Sequence, residues 1–115
     1  MSKMYILIIL LFITSKIIAR PGDLNPLFGI YGILQNPGDY IADIVIQSND
    51  NIVSIGSSAY DTHVMVIRRF TPNGTPDTSF NALGFTLFSP GSQTQGFGVC
   101  LQSDEKILAC GSTLE

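Results

Sequence analysis

The sequence predicts an all-β protein, with antiparallel four-stranded units repeated along the chain behind an N-terminal signal-peptide helix. Three observations predict it. All 11 glycines and all 6 prolines follow position 19, and these residues interrupt helices and supply turn dihedrals. The apolar residues there fall in short, β-branched runs separated by polar turns, with no helical periodicity. The chain also aligns with itself at a fixed offset.

The leader comes first. Lys3 precedes an unbroken apolar run from Met4 to Ile13, followed by Thr14-Ser15-Lys16-Ile17-Ile18-Ala19. A bilayer-spanning helix needs roughly 20 apolar residues, so this run is too short to cross. It fits the apolar core of a secretory signal peptide, with Ala19 as the small residue at the cleavage point. The expected protein is therefore secreted or extracytoplasmic, with no stable membrane span after leader cleavage. The alternative is an N-terminal membrane anchor in which Ile17 and Ile18 extend the apolar stretch around a snorkelling Lys16.

The repeat organises what remains. Ile46-Gln47-Ser48 aligns with Leu101-Gln102-Ser103 at an offset of 55 residues, as do Ile52-Val53 with Ile107-Leu108 and Gly56-Ser57 with Gly111-Ser112. Upstream, Gly22, Asn25, Phe28 and Gly32 meet Gly74, Asp77, Phe80 and Gly84 at an offset of 52. The polar stretch Ser89 to Gln95 is expected to be the loop that absorbs the difference, since loops tolerate insertions that elements do not.

The strands follow in order. Ile41 to Gln47 and Ile52 to Gly56 flank the polar turn Ser48-Asn49-Asp50-Asn51. His63 to Phe70 is closed by Pro72-Asn73-Gly74, a strong turn signal. Phe85 to Phe88 ends at Ser89-Pro90-Gly91, and Phe97 to Gln102 with Ile107 to Gly111 opens the next unit. Four short strands in about 50 residues match one blade of a β-propeller. The expected organisation is a signal peptide over 1–19, a leading partial repeat over 20–35, a blade-like repeat over 36–88, and the start of a second, truncated repeat over 89–115.

Gly74-Thr75-Pro76-Asp77-Thr78-Ser79-Phe80, with a looser copy from Gly22 to Phe28, and the run Leu101 to Ile107 together resemble the delta-60 repeat. That resemblance implies a partial β-propeller-like array and places Gly74, Asp77, Phe80, Gln47, Gly56, Gln102 and Gly111 in structural roles. It brings no catalytic residues. The family's turn usually reads Pro-Asp-Gly-Lys, whereas the turns at Asp50 and Glu105 lack glycine. Asp50 tolerates a left-handed backbone; Glu105 implies another turn type or about 1 kcal/mol of strain.

Candidate chemistry is sparse. Removing Lys3 and Lys16 with the leader takes the net charge from −3 to −5, which disfavours nucleic acid. Cys100 and Cys110 form a possible disulfide, facing each other only if Asp104-Glu105-Lys106 is a three-residue loop; their repeat counterparts Val45 and Ile55 favour plain apolar packing. With one histidine and two cysteines, no metal or other cofactor is expected. Asp61-Thr62-His63 with Ser57 or Ser58 could supply triad residues, but no nucleophile elbow is present. Asn49-Asp50-Asn51 and Asp104-Glu105 read as turn residues, and Asp39 and Asp43 as strand residues and not a paired-carboxylate site. Asn73-Gly74-Thr75 fits an N-glycosylation sequon. One of Arg68 and Arg69 is expected on the solvent face.

The function expected from these readings is a non-enzymatic exported β-repeat protein, or a fragment of one, serving as a structural or interaction scaffold. Its partner would be an unknown protein or glycan, or further blades from other chains, because a solitary blade leaves edges and one apolar face open. Two alternatives are a segment of a propeller-type enzyme or carbohydrate-binding protein, and a truncated reading frame without activity.

Overall fold

The computed structural model describes residues 20–35, 38–58, 60 and 64–115. The leader, the start of the expected blade at residue 36, and His63 lie outside the described residues. Six strands are found: β1 (Asp39–Ile46), β2 (Ile52–Ser58), β3 (Met65–Phe70), β4 (Phe85–Phe88), β5 (Gln93–Leu101) and β6 (Ile107–Leu114). They form an antiparallel four-stranded sheet in the order β1-β2-β3-β4 and an antiparallel two-stranded sheet of β5 and β6. The all-β expectation holds for the described residues, which contain no helix and no closed ring of sheets.

One expectation fails at the start of the second sheet. Gln93, Thr94 and Gln95 belong to β5 and not to a loop, pairing with Leu114, Thr113 and Ser112. Thr94 is buried and its hydroxyl lies 3.1 Å from that of Thr113. A threonine pair across a ladder suits a strand, so polarity alone misplaced this boundary.

The two hairpins share one register. Each β1–β2 pair, from Asp39↔Ser58 to Ile46↔Ile52, has its counterpart 55 residues on, from Thr94↔Thr113 to Leu101↔Ile107. The irregularity recurs too: the register shifts between Ile41 and Asp43, and again between Gly96 and Gly98. Each shift leaves one residue, Ala42 or Phe97, as a β-bulge. A bulge reverses the alternation of faces, so Ile41 joins Ile44 and Ile46 on one face and Gly96 joins Val99 and Leu101.

The turns match equally closely. Gln47 donates its N–H to Asn51 O and Asp50 donates to Gln47 O, both at 2.9 Å; Gln102 to Lys106 O and Glu105 to Gln102 O repeat this at 2.9 and 3.0 Å. These are three-residue loops, Ser48-Asn49-Asp50 and Ser103-Asp104-Glu105, whose last residue is left-handed (φ 65° and 66°). The loop at Pro72-Asn73-Gly74 has the same bonds, from Thr71 N–H to Thr75 O and from Gly74 N–H to Thr71 O. Glu105 therefore keeps the turn type and accepts the strain.

The core lies between the sheets. β5 packs across β1, β2 and β3, covering the face that carries Val53 and Ile55, which are almost wholly buried. Gly96 is pressed against this face: a Cβ there would stand 2.7 Å from Ile55 Cγ1 and 3.0 Å from Met65 Cγ. The opposite face of the first sheet is uneven. Val66 and Phe70 are buried beside it, while Ile41, Ile44 and Ile46 on β1 are 50–59% exposed.

Candidate functional site

The residues singled out by sequence act on the backbone and on the joint between sheets. Gly56 and Gly111 sit opposite the two bulges. A Cβ on Gly56 would stand 1.7 Å from Tyr40 O, and one on Gly111 2.0 Å from Gln95 O. These carbonyls belong to equivalent positions, so each bulge brings a backbone oxygen to a site that only glycine leaves open. Gly74 takes the left-handed position of its loop, at φ 83°.

Asp77 ties the corner after β3. Its Oδ1 accepts the Ser79 N–H at 3.0 Å and hydroxyl at 2.6 Å, and its Oδ2 accepts Arg69 Nε at 2.7 Å and Asn51 Nδ2 at 3.2 Å. The Ser79 hydroxyl is the chief cause that holds the Asp77 carboxyl below 3.8; burial opposes it, and the Ser79 amide and Arg69 reinforce it. Phe80 lies under the Arg69 guanidinium, 4.9 Å from ring centroid to Cζ. Asn25 makes the same local turn, its Oδ1 accepting the Leu27 N–H at 3.0 Å.

Gln47 and Glu105 meet where the two hairpin loops touch. Gln47 Nε2 donates to Glu105 O at 3.4 Å, and the Glu105 carboxylate accepts the Ser48 N–H at 3.2 Å. The Gln47 Oε1 is buried without a hydrogen-bond partner among the described residues. Gln102, the counterpart of Gln47, is exposed. Asp43 forms the second link between sheets, its Oδ2 accepting the Val99 N–H at 3.0 Å.

The inter-sheet roles of Asp43 and Glu105 were missed by sequence reasoning. One signal existed for Asp43. It is a carboxylate on the face that Val45 shares, and a charge placed among apolar residues requires a partner. Glu105 gave no comparable signal, because its partner is a backbone amide 57 residues away.

Other candidates resolve into local structure. Arg68 pairs with Asp39 and lies 4.7 Å over the Phe85 ring, while Arg69 pairs with Asp77. Both side chains are about one-fifth exposed, so neither stands free on a solvent face as expected. Successive strand residues point to opposite faces, which gives each arginine its own carboxylate. Asp39 and Asp43 also lie on opposite faces, opposite Ser58 and Ile55. Asp104 is lowered from 3.8 by its contact with Lys106, whose Nζ lies 2.8 Å away. Asn73 is exposed on its turn, with Oδ1 accepting the Thr75 hydroxyl at 3.1 Å.

Cys100 and Cys110 are free, exposed thiols, so the possible disulfide is not formed. The loop is centred one residue earlier than a facing pair requires: Cys100 stands opposite Leu108, and Cys110 opposite Gly98. The cysteines are thus diagonal neighbours on one face, about 7–8 Å apart at Cα in a regular ladder, beyond the usual disulfide span. Beside them is a hollow of about 300 Å³, lined by Asp43, Gly98, Val99, Cys100, Leu108, Ala109 and Cys110.

Asp61-Thr62-His63 lies outside the described residues; Ser57 and Ser58 stand in β2 opposite Tyr40 and Asp39. Among the described residues, no group of three or more His, Cys, Asp or Glu side chains could hold a metal ion. No helix among them is long and apolar enough to cross a membrane.

What the arrangement offers chemically is surface. One face of β1 presents Ile41, Ile44 and Ile46, and the far face of β5–β6 presents Cys100, Leu108 and Cys110. Compared with known proteins, the chain matches no family model, no curated protein and no solved structure.

Proposed function

We propose that this chain is an exported, non-enzymatic β-repeat protein of the delta-60 kind, whose blade-like sheets stack into a structural or interaction scaffold. The observation that carries this reading is the shared register of the two hairpins, with the second sheet laid on the first and an apolar face left at each end. Modules of that kind gain their stability from neighbours, and their outward faces are where further modules or partners attach. Among the described residues, Asp43, Asp77, Glu105, Arg68 and Arg69 are occupied in turns, ion pairs and inter-sheet links, which is how a scaffold uses them.

The test begins by expressing the whole chain in an export-competent host. The expected product appears outside the cell with Arg20 as its first residue and turns over no ester, glycoside or phosphate substrate. Saturable turnover that disappears in Asp61→Ala would contradict the non-enzymatic reading. Retention in the cell with the leader intact would contradict export.

A further inference from the structure

We propose that copies of this chain stack head-to-tail, the Cys100–Leu108–Cys110 face of one copy receiving the Ile41–Ile44–Ile46 face of the next. This rests on the scaffold reading and names its partner as a second copy. The template is the joint already inside the chain. There the Val53–Ile55 face of the first sheet receives the Gly96–Val99–Leu101 face of the second. Moving both partners by the 55-residue offset pairs the two faces that remain open.

The side chains on these faces are complementary in size. Gly96 is the small residue in the internal joint, pressed against Ile55 and Met65. At the joint between copies Ile41 takes the place of Gly96, and the smaller Cys110 takes the place of Ile55. Gly98 likewise stands where Asp43 stands in the internal joint, and it lines, with Asp43, Cys110 and Leu108, a hollow of about 300 Å³. The bulky residue thus meets the vacant side, as close packing requires. Gln102 is exposed where Gln47 reaches the next loop's carbonyl at Glu105, so it can reach the Asp50 carbonyl of the next copy. Leu108 is 48% exposed, and Ile41, Ile44 and Ile46 are 50–59% exposed; stacking removes this apolar surface from water.

The joint unites unlike faces. A heterologous contact leaves one free face at each end, so assembly continues into a ring or a filament instead of stopping at a dimer. That property gives the test its power.

Ile44→Lys blocks one face and Leu108→Glu blocks the other, at exposed positions where the fold tolerates change; circular dichroism and melting of each variant check this. In sedimentation velocity the wild-type mature chain is expected to form species that grow with concentration. Each variant alone is expected to remain monomeric. An equimolar mixture is expected to double in mass and stop, because the intact faces of the two variants match. A wild-type chain that stays monomeric at millimolar concentration, or a mixture of folded variants that stays monomeric, would overturn head-to-tail stacking. Dimers of one variant alone would overturn it in favour of a like-with-like contact.

Should either variant fail to fold, Ile41→Cys in a Cys100→Ser background supplies a second readout. Mild oxidation with oxidised glutathione is expected to give a ladder of cross-linked oligomers that disappears in Cys110→Ser; no ladder contradicts the contact. Export, processing and substrate turnover read the scaffold proposal separately, so loss of stacking leaves that proposal to its own test.

Discussion

The β1–β2 and β5–β6 hairpins share a turn, a bulge and a register, yet differ in what surrounds them. Val53 is fully buried whereas its counterpart Leu108 is 48% exposed; Ile55 is 1% exposed whereas its counterpart Cys110 is an exposed thiol. Pairing is therefore set locally, by the three-residue loop and by glycine opposite the bulge. Burial is set by neighbours. The first hairpin has β3 beside it and β5 over it; the second is covered on one face, by β1, β2 and β3.

Substitutions at equivalent positions sharpen this contrast. The largest effect is expected at Gly56, where a methyl group would collide with Tyr40 O in the middle of the sheet. Gly56→Ala should destabilise the protein by about 3 kcal/mol or more, at the upper end for overpacking. Gly111→Ala carries the same collision with Gln95 O, but it should act mainly on the β5–β6 hairpin. Hydrogen exchange would then rise in β6 while β2 stays protected. Equal loss of protection in both sheets would break the distinction.

Next comes side-chain burial. Ile55→Ala empties a filled site between the sheets and should cost about 3 kcal/mol by denaturant unfolding. Cys110→Ala at the equivalent position, measured in the Ile44→Lys background that keeps the chain monomeric, should cost less than about 0.5 kcal/mol, as expected at an exposed site. Similar costs at both positions would show that the far face of β5–β6 is covered in solution.

The loops give a smaller effect. Glu105 is left-handed without being glycine, whereas aspartate at position 50 tolerates that region better. Glu105→Gly should stabilise by about 0.5 kcal/mol, because relief of strain exceeds the added freedom of the unfolded chain and the lost contact with Ser48. Asp50→Gly should be close to neutral. Thermal melts of the two variants decide the order.

The last contrast is read by pH at Asp77, whose Oδ1 turn Asn25 builds without a charge but whose Oδ2 also accepts Arg69 and Asn51, bonds that an amide nitrogen cannot accept. Because folding lowers the Asp77 carboxyl below 3.8, its contribution is full above that value. It is lost as pH falls through the still lower folded value. Asp77→Asn should keep the Ser79 turn, lose the Arg69 and Asn51 contacts, and make unfolding less sensitive to acid below pH 3.8. An acid titration of both proteins that runs in parallel would contradict this role.

Much of the pairing was legible because it is written in short-range chemistry. Ile52-Val53 after a polar turn, and Asn73-Gly74 after an alternating run, specify a strand and a loop within a few residues. The glycines at 56 and 111 stood out by offset alone. What remained hidden depends on contacts across the fold. Gln93-Thr94-Gln95 reads as a loop by polarity and becomes strand because Thr94 finds Thr113. The arginines at 68 and 69 gave no sign of their separate carboxylates, since Asp39 lies 29 residues away and on another strand. The diagonal placement of the cysteines depended on the centre of one loop, a detail that composition does not encode.

The most direct measurement is a set of nuclear Overhauser contacts from Gly96. Close packing of the second sheet on the first places its α-protons near the side chains of Ile55 and Met65, with Phe97 looped out of the β5–β6 ladder as Ala42 is from β1–β2. Cross-sheet contacts from Gly96 to both side chains, together with matching bulge patterns at Ala42 and Phe97, are the expected result. Contacts from Gly96 confined to its own hairpin, or Phe97 paired in an unbroken ladder, would contradict one module used twice and stacked face to back.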